Sequence, residues 1–393
     1  MLKQVFDIEQ LSKSLTSSDV WQWDLLSGYG DVETAVNHTV QYWKSHNLVL
    51  SSLETETVKN KLVFIPAKME DAFAIKLLDR FVRRIYKVRQ SDRNRIVRQL
   101  ITLLKDSGNY HVLRLDIKNC YETIPFEHLI NKFEDDLILA PNCIKLLNDI
   151  HSDLRSNHNM YGLPRGLSIS PTLAELYLES LDKKVASHPN VIYTARYVDD
   201  LIILTPAGME GNVKDDITAF MNERGLSLNN DTDKYYSGSS QSAEFDYLGY
   251  SIKVKQKKDK PNEVTLKISQ AKLNKLKSKI AISFSNHKKQ KNIALLKRRL
   301  EYLCMLKSVR KGKNGHLLAG LAHNYQYVTD GFECLKALDG FLCQQLANPR
   351  HGLSQQEQDQ IKKISIYGNA KKRNVGKFTK KKAAQIMQVW KNA

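Results

Sequence analysis

The sequence predicts an α+β fold, with short strands interleaved with helices and a mostly helical region after them. Apolar residues recur at helical spacing through long segments, of which 69–105 is the clearest. Short apolar runs bounded by turn residues are typical of strands, and they occur at 111–117 and 191–204. From residue 269 to 348 most of the pattern is helical again. The chain has 393 residues and a hydrophobic content of 42%, which suffices for a sizeable core and more than one subdomain.

The first half of the chain is predicted to alternate helices and strands. In order, we expect helices over 1–60, a strand over 61–67, helices over 69–105, a strand over 111–117, a helix over 125–133, a helix up to about 154 and a Gly/Pro loop over 161–171. A further helix begins at Pro171, because proline suits the first helical position and Ser170 suits the N-cap before it.

The second half is predicted to contain strands first and helices later. We expect a strand–turn–strand unit over 191–204, a helix over 215–224 ended by Gly225, a strand over 245–254, a lysine-rich hairpin tip or linker over 255–262, and helices over most of 269–348. The chain is therefore predicted to have an N-terminal helical segment (1–60), a central domain (61–255), a helical domain (262–348) and a basic C-terminal extension (349–393).

Charge is distributed unevenly along the chain, whose formal net charge is +18. Residues 251–393 contain 32 Lys and Arg against 8 Asp and Glu, whereas the preceding residues contain 28 against 34. A mildly acidic body with a strongly basic C-terminal third fits a nucleic-acid-binding surface attached to a metal-binding body. The alternative is a basic solvated surface. The interleaving of the basic residues with an apolar helical pattern and with aromatics favours nucleic acid.

Other features bear on the compartment. No run of about 18 uncharged apolar residues occurs, so we expect no membrane span. The first residues lack the basic region and apolar core of a secretory signal. The five cysteines are scattered without a CxxC pair, which indicates neither a disulfide framework nor a zinc site. We therefore expect a cytoplasmic protein.

Three aspartates are candidates for chemistry. Asp116 ends an apolar run, where a carboxylate is costly unless it is paired or binds a metal; a cap of a helix or turn is the alternative. Asp199 and Asp200 lie between two apolar runs, which places both acids on a tight turn between buried strands. A divalent cation would relieve their repulsion. Two further Asp pairs, at 135–136 and 215–216, lie in polar helical settings where solvated charge is the default.

If the strands that carry these acids belong to one sheet, the carboxylates would converge within a few ångströms. Two Mg²⁺ ions about 3.5–4 Å apart would suit such a site and an in-line phosphoryl displacement. One ion would lower the pKa of an attacking 3′-hydroxyl, and the other would steady the triphosphate and the departing pyrophosphate. Hard oxygen ligands select Mg²⁺ or Mn²⁺ rather than zinc.

Five motifs follow one another over roughly residues 110–254: RLDIKNCYETI, YGLPRGLSISPTLAELYLESLD, RYVDDLIIL, GLSLNNDTDK and FDYLGYSI. In this order and spacing they resemble the palm motifs of reverse transcriptases. The resemblance implies a right-hand polymerase, with fingers and an antiparallel palm sheet over 61–255, a helical thumb over 262–348 and a mostly α-helical C-terminal extension. It also implies the activity of an RNA-directed DNA polymerase.

The resemblance assigns roles to the residues around the acids. Asp116 and Asp199 would bind both metal ions, Asp200 would assist more peripherally, and the backbone carbonyl of Ile117 would contact one ion. Lys234 would donate a proton to pyrophosphate or neutralise the triphosphate, although it stands one residue farther along than is usual. A plain surface lysine is the alternative for Lys234.

The resemblance also implies a nucleotide site. Tyr121, five residues after Asp116, would be the bulky gate that excludes a 2′-hydroxyl and so favours dNTPs over rNTPs; a core aromatic is the alternative. Gly166 and Ser170 would lie in a nucleotide-binding loop, for which a simple capping loop is the alternative. Arg165 stands where the family usually has glutamine, and it would contact template phosphate or a base edge instead.

Contacts to primer and template are implied at several further positions. Tyr197 and Val198 would lie near the primer end, and Leu248 and Gly249 would form the primer-grip hairpin. The thumb residues implied to track the duplex backbone are Lys272, Lys275 and Lys279. The fingers residues implied to contact triphosphate or template are Lys68, Arg80, Arg83 and Arg84. A solvated helix face is the alternative for Arg83, Arg84 and Lys87.

The predicted function is RNA-directed DNA synthesis from dNTPs, with an RNA template and a DNA product. A second protein subunit is a candidate partner. Within the family, a compact enzyme with a helical C-terminal extension resembles the bacterial defence-associated, abortive-infection-related branch, which implies an antiphage role with a dedicated noncoding RNA. Two alternatives stay open. One is template-independent or repeat-making nucleotide addition, and the other is an RNA-binding scaffold with a retired active site.

Overall fold

The computed structural model describes residues 3–312 and 315–391. Its mixture of helices and short strands confirms the predicted α+β class. The elements up to residue 239 are α1 (Ile8–Ser14), α2 (Ser17–Gln22), α3 (Leu25–Tyr29), α4 (Val32–Ser45), β1 (Leu53–Val58), β2 (Lys61–Pro66), α5 (Met69–Ile85), α6 (Arg93–Leu104), β3 (Tyr110–Asp116), α7 (Cys120–Thr123), α8 (Phe126–Asp136), α9 (Pro141–His158), α10 (Ser170–Ala186), β4 (Tyr193–Tyr197), β5 (Asp200–Pro206), α11 (Glu210–Glu223) and β6 (Tyr236–Ser239).

The rest of the chain is mainly helical, with two further small sheets. Its elements are β7 (Glu244–Tyr247), β8 (Tyr250–Lys255), β9 (Glu263–Ile268), α12 (Gln270–Gln290), α13 (Ile293–Cys304), β10 (Leu306–Gly312), β11 (Gly315–Ala319), α14 (Leu321–Asn324), α15 (Lys336–Ala347), α16 (Gln355–Lys362), α17 (Ile366–Lys372), β12 (Val375–Gly376) and α18 (Lys380–Gln388). Among the described residues, no helix combines the length and the apolar character needed to cross a lipid bilayer.

The chain divides into two compact units. Unit 1 contains the residues up to Asp92 and the segment Tyr110–Ser237. Unit 2 contains Arg93–Asn109 and the residues from Gly238 onward. Helix α6 is therefore part of unit 2, although the segments on either side of it belong to unit 1. The bounds of the four predicted segments stay a prediction.

Unit 1 is built on a sheet whose strand order is β4-β5-β3-β6. Strand β5 is antiparallel to both β4 and β3, and its register pairs Leu201 with Leu115 and Asp200 with Asp116. The apolar residues of β3 and β5 are almost fully buried, as expected for strands covered by helices. Helices α5, α8, α9 and α10 contribute to the same core. The two carboxylates at the end of the β3–β5 ladder are therefore held by a rigid, buried framework.

A hairpin near the N-terminus corrects one prediction. Strand β1 lies within the segment 1–60, which is predicted to be helical, and it pairs antiparallel with β2. The β1 sequence LETETV alternates glutamate with threonine over residues 54–57, a period of two that favours a strand over a helix. The turn residues Lys59 and Asn60 both have positive φ (53° and 58°), as a two-residue hairpin turn requires.

Unit 2 begins with an antiparallel sheet of order β7-β8-β9. The single strand predicted over 245–254 is instead the hairpin β7–β8. Leu248 and Gly249, which join the two strands, have positive φ (49° and 77°) and reverse the chain. The continuous apolar pattern of FDYLGYSI conceals this turn, because the sheet buries residues on both sides of it.

The lysine-rich segment 255–262 forms the tip between β8 and β9, as one of its two predicted alternatives states. Its last residue, Asn262, is buried, and its side-chain amide donates to the carbonyls of Leu104 (3.2 Å) and Asp106 (2.7 Å). These carbonyls lie at the C-terminal end of α6, where helical acceptors lack intrahelical partners. Asn262 thereby fastens α6 to unit 2.

Helices α12, α13 and α15 agree with the helical prediction for most of 269–348, but the interval between α13 and α15 contains two strands. Strands β10 and β11 pair antiparallel in that interval, and the two residues that join them lie outside the described part of the chain. Gly312 ends β10 and Gly315 begins β11, and glycine disfavours a continuous helix. The region after residue 349 contains α16, α17, α18 and the short strand β12, which agrees with a mostly helical C-terminal extension.

Candidate active site

The three predicted acids meet at one end of the unit 1 sheet. Asp116 is the last residue of β3 and lies opposite Asp200, the first residue of β5, in the antiparallel register. Asp199 belongs to the two-residue turn that joins β4 to β5. One carboxylate oxygen from each of the three lies within 4.8 Å of the others. The convergence predicted from the sequence is thus present in the folded chain.

The turn that carries Asp199 is strained and firmly held. Val198 has a φ of 61°, which is a left-handed conformation that β-branched residues rarely adopt. Its carbonyl accepts a hydrogen bond from Nη1 of Arg196 at 2.8 Å. The carbonyl of Asp199 accepts another from the amide of Ile117 at 3.0 Å, which ties the turn to the end of β3. Such strain persists only where the surroundings determine the backbone.

Arg196 is the centre of a buried ionic network behind this turn. It is 5% exposed and pairs through two nitrogens with the carboxylate of Asp182, at 2.8 and 2.7 Å. Nη2 also donates to Glu175 at 2.8 Å. Burial alone would lower the pKa of Arg196, but the hydrogen bonds and charges of Asp182 and Glu175 outweigh it and raise the pKa. Sequence reasoning missed this arginine, which stands beside the acid pair in ARYVDD.

The electrostatics of the cluster favour a cation. The pKa of Asp199 is raised, first by burial and then by the neighbouring charge of Asp116, with a smaller contribution from Asp200. Three carboxylates so close together repel one another when ionised. The donor set consists of hard oxygens alone, which is the ligand type preferred by Mg²⁺ and Mn²⁺. The residues present therefore fit a divalent metal centre.

Two protein groups contact Asp116, which is 3% exposed. Nζ of Lys234 lies 3.0 Å from Oδ1, and Nδ2 of Asn229 donates to Oδ2 at 3.1 Å. Burial would lower the pKa of Lys234, but the bond to Asp116 and the charges of Asp200 and Asp199 raise it, so the amine is protonated at neutral pH. The structure thus brings Lys234 into the cluster, despite its shift by one residue along the sequence.

Asp200 is paired with an arginine. Nη2 of Arg114 donates to Oδ1 of Asp200 at 3.0 Å, and Nη1 donates to the carbonyl of Asp233 at 2.8 Å. The more peripheral role of Asp200 stays a prediction. Sequence reasoning missed Arg114, although a signal existed. Residues two apart on a strand share a face, so Arg114 had to project on the same side as Asp116.

The predicted gate, Tyr121, lies on α7 just beyond the acids and is partly buried against the unit 1 core. The guanidinium carbon of Arg165 lies 5.0 Å from the centre of its ring. Arg165 also forms two hydrogen bonds with the carboxylate of Glu122. The predicted contact of Arg165 with the template stays a prediction, while its guanidinium group is here paired within the protein.

The loop before α10 differs from its prediction at one residue. Ser170 is the first residue of α10, preceded by Ile169 at the N-cap, and its side chain does not cap the helix. Its hydroxyl is buried and donates to the carbonyl of Pro164, which closes the loop on itself. Gly166 has a φ of 104°, and a Cβ there would lie 2.5 Å from the carbonyl oxygen of Phe64 on β2. The loop is therefore packed directly on the β1–β2 hairpin.

The basic residues proposed for the fingers are partly engaged elsewhere. Nζ of Lys68 donates to the hydroxyl of Tyr42 at 2.9 Å, and Arg83 donates to Asp79 on its own helix at 3.0 Å. A lysine that sequence reasoning missed contacts the segment that follows Asp116. Lys61, the first residue of β2, donates to the side-chain carbonyl of Asn119 at 3.0 Å, three residues after Asp116.

The predicted primer-grip residues, Leu248 and Gly249, form the turn of the β7–β8 hairpin in unit 2. Nε of Arg93 donates to the carbonyl of Leu248 at 3.2 Å. The guanidinium carbon of Arg93 lies 5.0 Å from the ring centres of both Tyr250 and Tyr325, and these two rings pack edge-to-face against each other, so the arginine contacts an aromatic pair. The primer role of this turn stays a prediction.

The predicted thumb lysines lie along α12 of unit 2. Lys275 is exposed, whereas Lys272 and Lys279 are partly buried. Nζ of Lys279 lies 5.4 Å from the ring centre of Trp390, and the same indole donates to the backbone carbonyl of Lys279 at 3.0 Å. Lys279 therefore has a packing role within unit 2. Contact of all three with nucleic acid stays a prediction.

Comparison with known proteins adds a family to this geometry. Residues 66–252 match the family described as Reverse transcriptase (RNA-dependent DNA polymerase). Among solved structures, the chain is similar to apo telomerase from Candida tropicalis truncated from its C-terminal domain, with 13% identity, a TM-score of 0.36, and coverage of 56% of this chain and 59% of that chain. It is also similar to telomerase from Candida albicans in complex with a TWJ fragment of telomeric RNA, with 10% identity, a TM-score of 0.39, and coverage of 86% and 64%.

The chain spans less than two thirds of the length of these two solved chains. No curated protein sequence matches it. The antiparallel sheet with acids at the end of β3 and in the β4–β5 turn defines the core of a right-hand polymerase, which confirms the predicted fold. The family match over residues 66–252 agrees with this core and implies a nucleotidyltransferase polymerase.

Proposed function

We propose that the protein is an RNA-directed DNA polymerase that extends a primer with dNTPs at a two-metal site. The observation that carries this proposal is the meeting of Asp116, Asp199 and Asp200 within 4.8 Å of one another inside the reverse transcriptase domain. A binding role requires no such cluster of mutually repelling acids, so the site argues against a retired scaffold.

In this proposal Asp116 and Asp199 hold two Mg²⁺ or Mn²⁺ ions, and Asp200 supports them from its pairing with Arg114. When bound, such ions supply activation of the primer 3′-hydroxyl and neutralisation of the triphosphate charge. The chain's own contribution is to fix the acids: the β3–β5 ladder sets two of them, and Arg196 sets the turn that carries the third. The protonated amine of Lys234 beside Asp116 is placed to balance phosphate charge or to supply a proton to the departing pyrophosphate.

We further propose the biological setting that the resemblance implies. The template is RNA, in particular a dedicated noncoding RNA, and the product is DNA made in the cytoplasm as part of bacterial antiphage defence, with a second protein subunit as a further partner. The strong positive charge of residues 251–393 supports binding to a nucleic-acid backbone. Plating of phage on cells that carry the wild-type chain or an Asp116→Asn variant tests this setting. Equal plaque numbers on the two strains would contradict it.

The polymerase proposal is tested with purified protein, Mg²⁺ or Mn²⁺, a primed RNA template and each dNTP or rNTP supplied singly. We expect incorporation of the dNTP complementary to the template, and none in Asp116→Asn. Incorporation without added template would favour template-independent or repeat-making synthesis instead. Retention of co-purified RNA without any incorporation would favour the scaffold. Sequencing of the co-purified RNA would identify the template.

A further inference from the structure

Arg165 is held in a geometry that the template role does not require. Its Nε donates to Oε1 of Glu122 at 2.7 Å and its Nη2 donates to Oε2 at 2.9 Å, so the guanidinium fork and the carboxylate are matched at both positions. The same guanidinium group lies over the ring of Tyr121, 5.0 Å from its centre. One arginine thus contacts the side chains of two consecutive residues of α7.

The backbone fixes both partners of this contact. The amide of Leu163 donates to the carbonyl of Tyr121 at 2.7 Å, and the amide of Phe64 donates to the carbonyl of Arg165 at 2.7 Å. A Cβ on Gly162 would lie 2.2 Å from the carbonyl oxygen of Glu122, so only glycine permits this approach. The loop that carries Arg165 is therefore joined to α7 on one side and to β2 on the other.

The charges of the pair are stable near neutral pH. The pKa of Arg165 is raised, first by its hydrogen bond to Glu122. Burial would raise the pKa of Glu122, but the contact with Arg165 outweighs it and lowers the pKa. Both groups are about one-third exposed, so the pair is less screened than a surface ion pair. Lys61 approaches Glu122 at 3.8 Å and adds to its stabilisation.

We infer that Arg165 and Glu122 are positioning residues for sugar selection, which clamp the ring of Tyr121 in the place where it excludes a 2′-hydroxyl. This inference rests on the proposed function. A guanidinium group fixed by Glu122 limits tilting of the ring on which it lies, and a ring that cannot tilt leaves no space for an additional oxygen under the sugar. Arginine is suited to this task because lysine lacks both the planar face and the two-pronged hydrogen bonding.

The test is a double-mutant cycle on nucleotide selection. The ratio of kcat/KM for dNTP to that for the matching rNTP is measured for Arg165→Gln, Arg165→Lys and Glu122→Gln, each with Tyr121 and with Tyr121→Ala. With Tyr121 present, we expect each substitution to lower the ratio by about three- to tenfold, mainly through a lower KM for the rNTP. With Tyr121→Ala, the ratio should fall to one low value that the same substitutions leave unchanged.

Arg155 offers a matched control. Its guanidinium carbon lies 5.1 Å from the ring centre of Tyr161, and it faces Glu127 at 3.7 Å, but it belongs to α9 and contacts none of the acids of the site. Arg155→Gln should leave the ratio unchanged. Thermal unfolding of each variant identifies any that fails to fold, and Arg165→Lys and Glu122→Gln provide the milder changes in that case.

The outcomes separate this inference from the proposed function. If the wild-type chain incorporates no nucleotide, the proposed function fails. If the wild-type chain is active but the ratio is the same for folded Arg165 and Glu122 variants, the clamp is wrong. Equal effects with and without the Tyr121 ring would also overturn it, because Arg165 would then act on the nucleotide or template directly.

Discussion

Two tight turns, one in each unit, contain a non-glycine residue at positive φ, and different contacts stabilise them. The Val198–Asp199 turn of unit 1 and the Leu248–Gly249 turn of unit 2 each join two antiparallel strands and each place a bulky apolar residue at positive φ. In both, an arginine donates to the carbonyl of that residue, Arg196 in the first and Arg93 in the second. The difference lies in what holds the arginine.

Arg196 is held by carboxylates and Arg93 by aromatic rings. The first is 5% exposed and bound to Asp182 and Glu175, whereas the second contacts the rings of Tyr250 and Tyr325. A buried ion pair fixes direction strictly but leaves costly charges if one partner is lost. A cation–π contact is weaker and tolerates small shifts. The acid-bearing turn, whose geometry must serve chemistry, has the more exacting support.

The largest expected effect comes from removing the acid of the first turn. Asp199→Asn should lower nucleotide incorporation by at least about 10³-fold, because an amide is a poor ligand for Mg²⁺ and brings no negative charge. The same substitution should raise the free energy of unfolding of the metal-free protein. The pKa of Asp199 is raised in the fold, so its ionisation opposes folding at neutral pH.

The stability difference between Asp199→Asn and wild type should therefore shrink as the pH falls through the folded pKa of Asp199, where the wild-type carboxyl becomes neutral. Urea unfolding in EDTA at a series of pH values measures it. Asp215, which is exposed on α11, provides the control, since Asp215→Asn should change neither property. Full incorporation by folded Asp199→Asn would remove the catalytic assignment of this turn.

The next effect compares the two arginines directly. Arg196→Met should destabilise the protein by about 3 kcal/mol, because it leaves the nearly buried carboxylate of Glu175 without its cation, whereas Asp182 is 42% exposed and can be hydrated. Arg93→Met should cost less, about 1–2 kcal/mol, since it removes hydrogen bonds to the carbonyls of Leu248 and Asn324 and two cation–π contacts but leaves no carboxylate without a partner.

Urea denaturation of both variants gives these two free energies. A variant that replaces Arg196, Asp182 and Glu175 together by apolar residues of similar size should recover much of the lost stability, because the stranded charges disappear with the arginine. If the triple variant recovers stability but not nucleotide incorporation, the Arg196 contacts are needed for the position of Asp199 and not only for the stability of the fold. Equal destabilisation by the two single substitutions would show that the distinction between ionic and aromatic support has no energetic consequence.

The same comparison explains what the sequence could predict. The acids were identified because a pair of charges between apolar runs conflicts with burial, and the motif order supplied the rest. The β7–β8 turn was assigned a role but read as one strand, because leucine at positive φ has no sequence signal. The arginines behind both turns were missed. Each is one of 60 basic residues, and the contacts that single it out depend on tertiary packing: Arg93 meets the distant Leu248, and Arg196 meets Asp182 and Glu175 on the preceding helix.

Arg165 was recognised as unusual from the sequence, but its contacts were not predictable from it. Its departure from the usual glutamine was visible in the sequence, and a template contact was the natural hypothesis. The pairing with Glu122 could not be predicted, because it depends on how closely Gly162 lets the loop approach α7. Local pattern therefore predicts which residues are unusual, whereas tertiary packing decides what they contact.

The smallest expected effect concerns the strain itself. A residue with a Cβ is destabilised by about 1–2 kcal/mol in the left-handed conformation, and glycine is not. Part of this gain is offset because glycine also increases the conformational entropy of the unfolded chain. Val198→Gly should therefore stabilise the protein by about 1 kcal/mol, and Leu248→Gly by about 0.5 kcal/mol, because β-branching makes the valine the more strained of the two.

Leu137 supplies the reference for these two changes. It has a φ of 54° at the end of α8 and is 86% exposed, so Leu137→Gly relieves strain with almost no loss of packing. The increase in the free energy of unfolding caused by Leu137→Gly measures strain relief for a leucine. A smaller increase for Leu248→Gly gives the stabilisation that the Leu248 side chain contributes to unit 2. If Val198→Gly lowers the free energy of unfolding while Leu137→Gly raises it, the valine side chain stabilises the turn. The left-handed conformation of Val198 would then not be a destabilising feature for which the Arg196 contacts compensate.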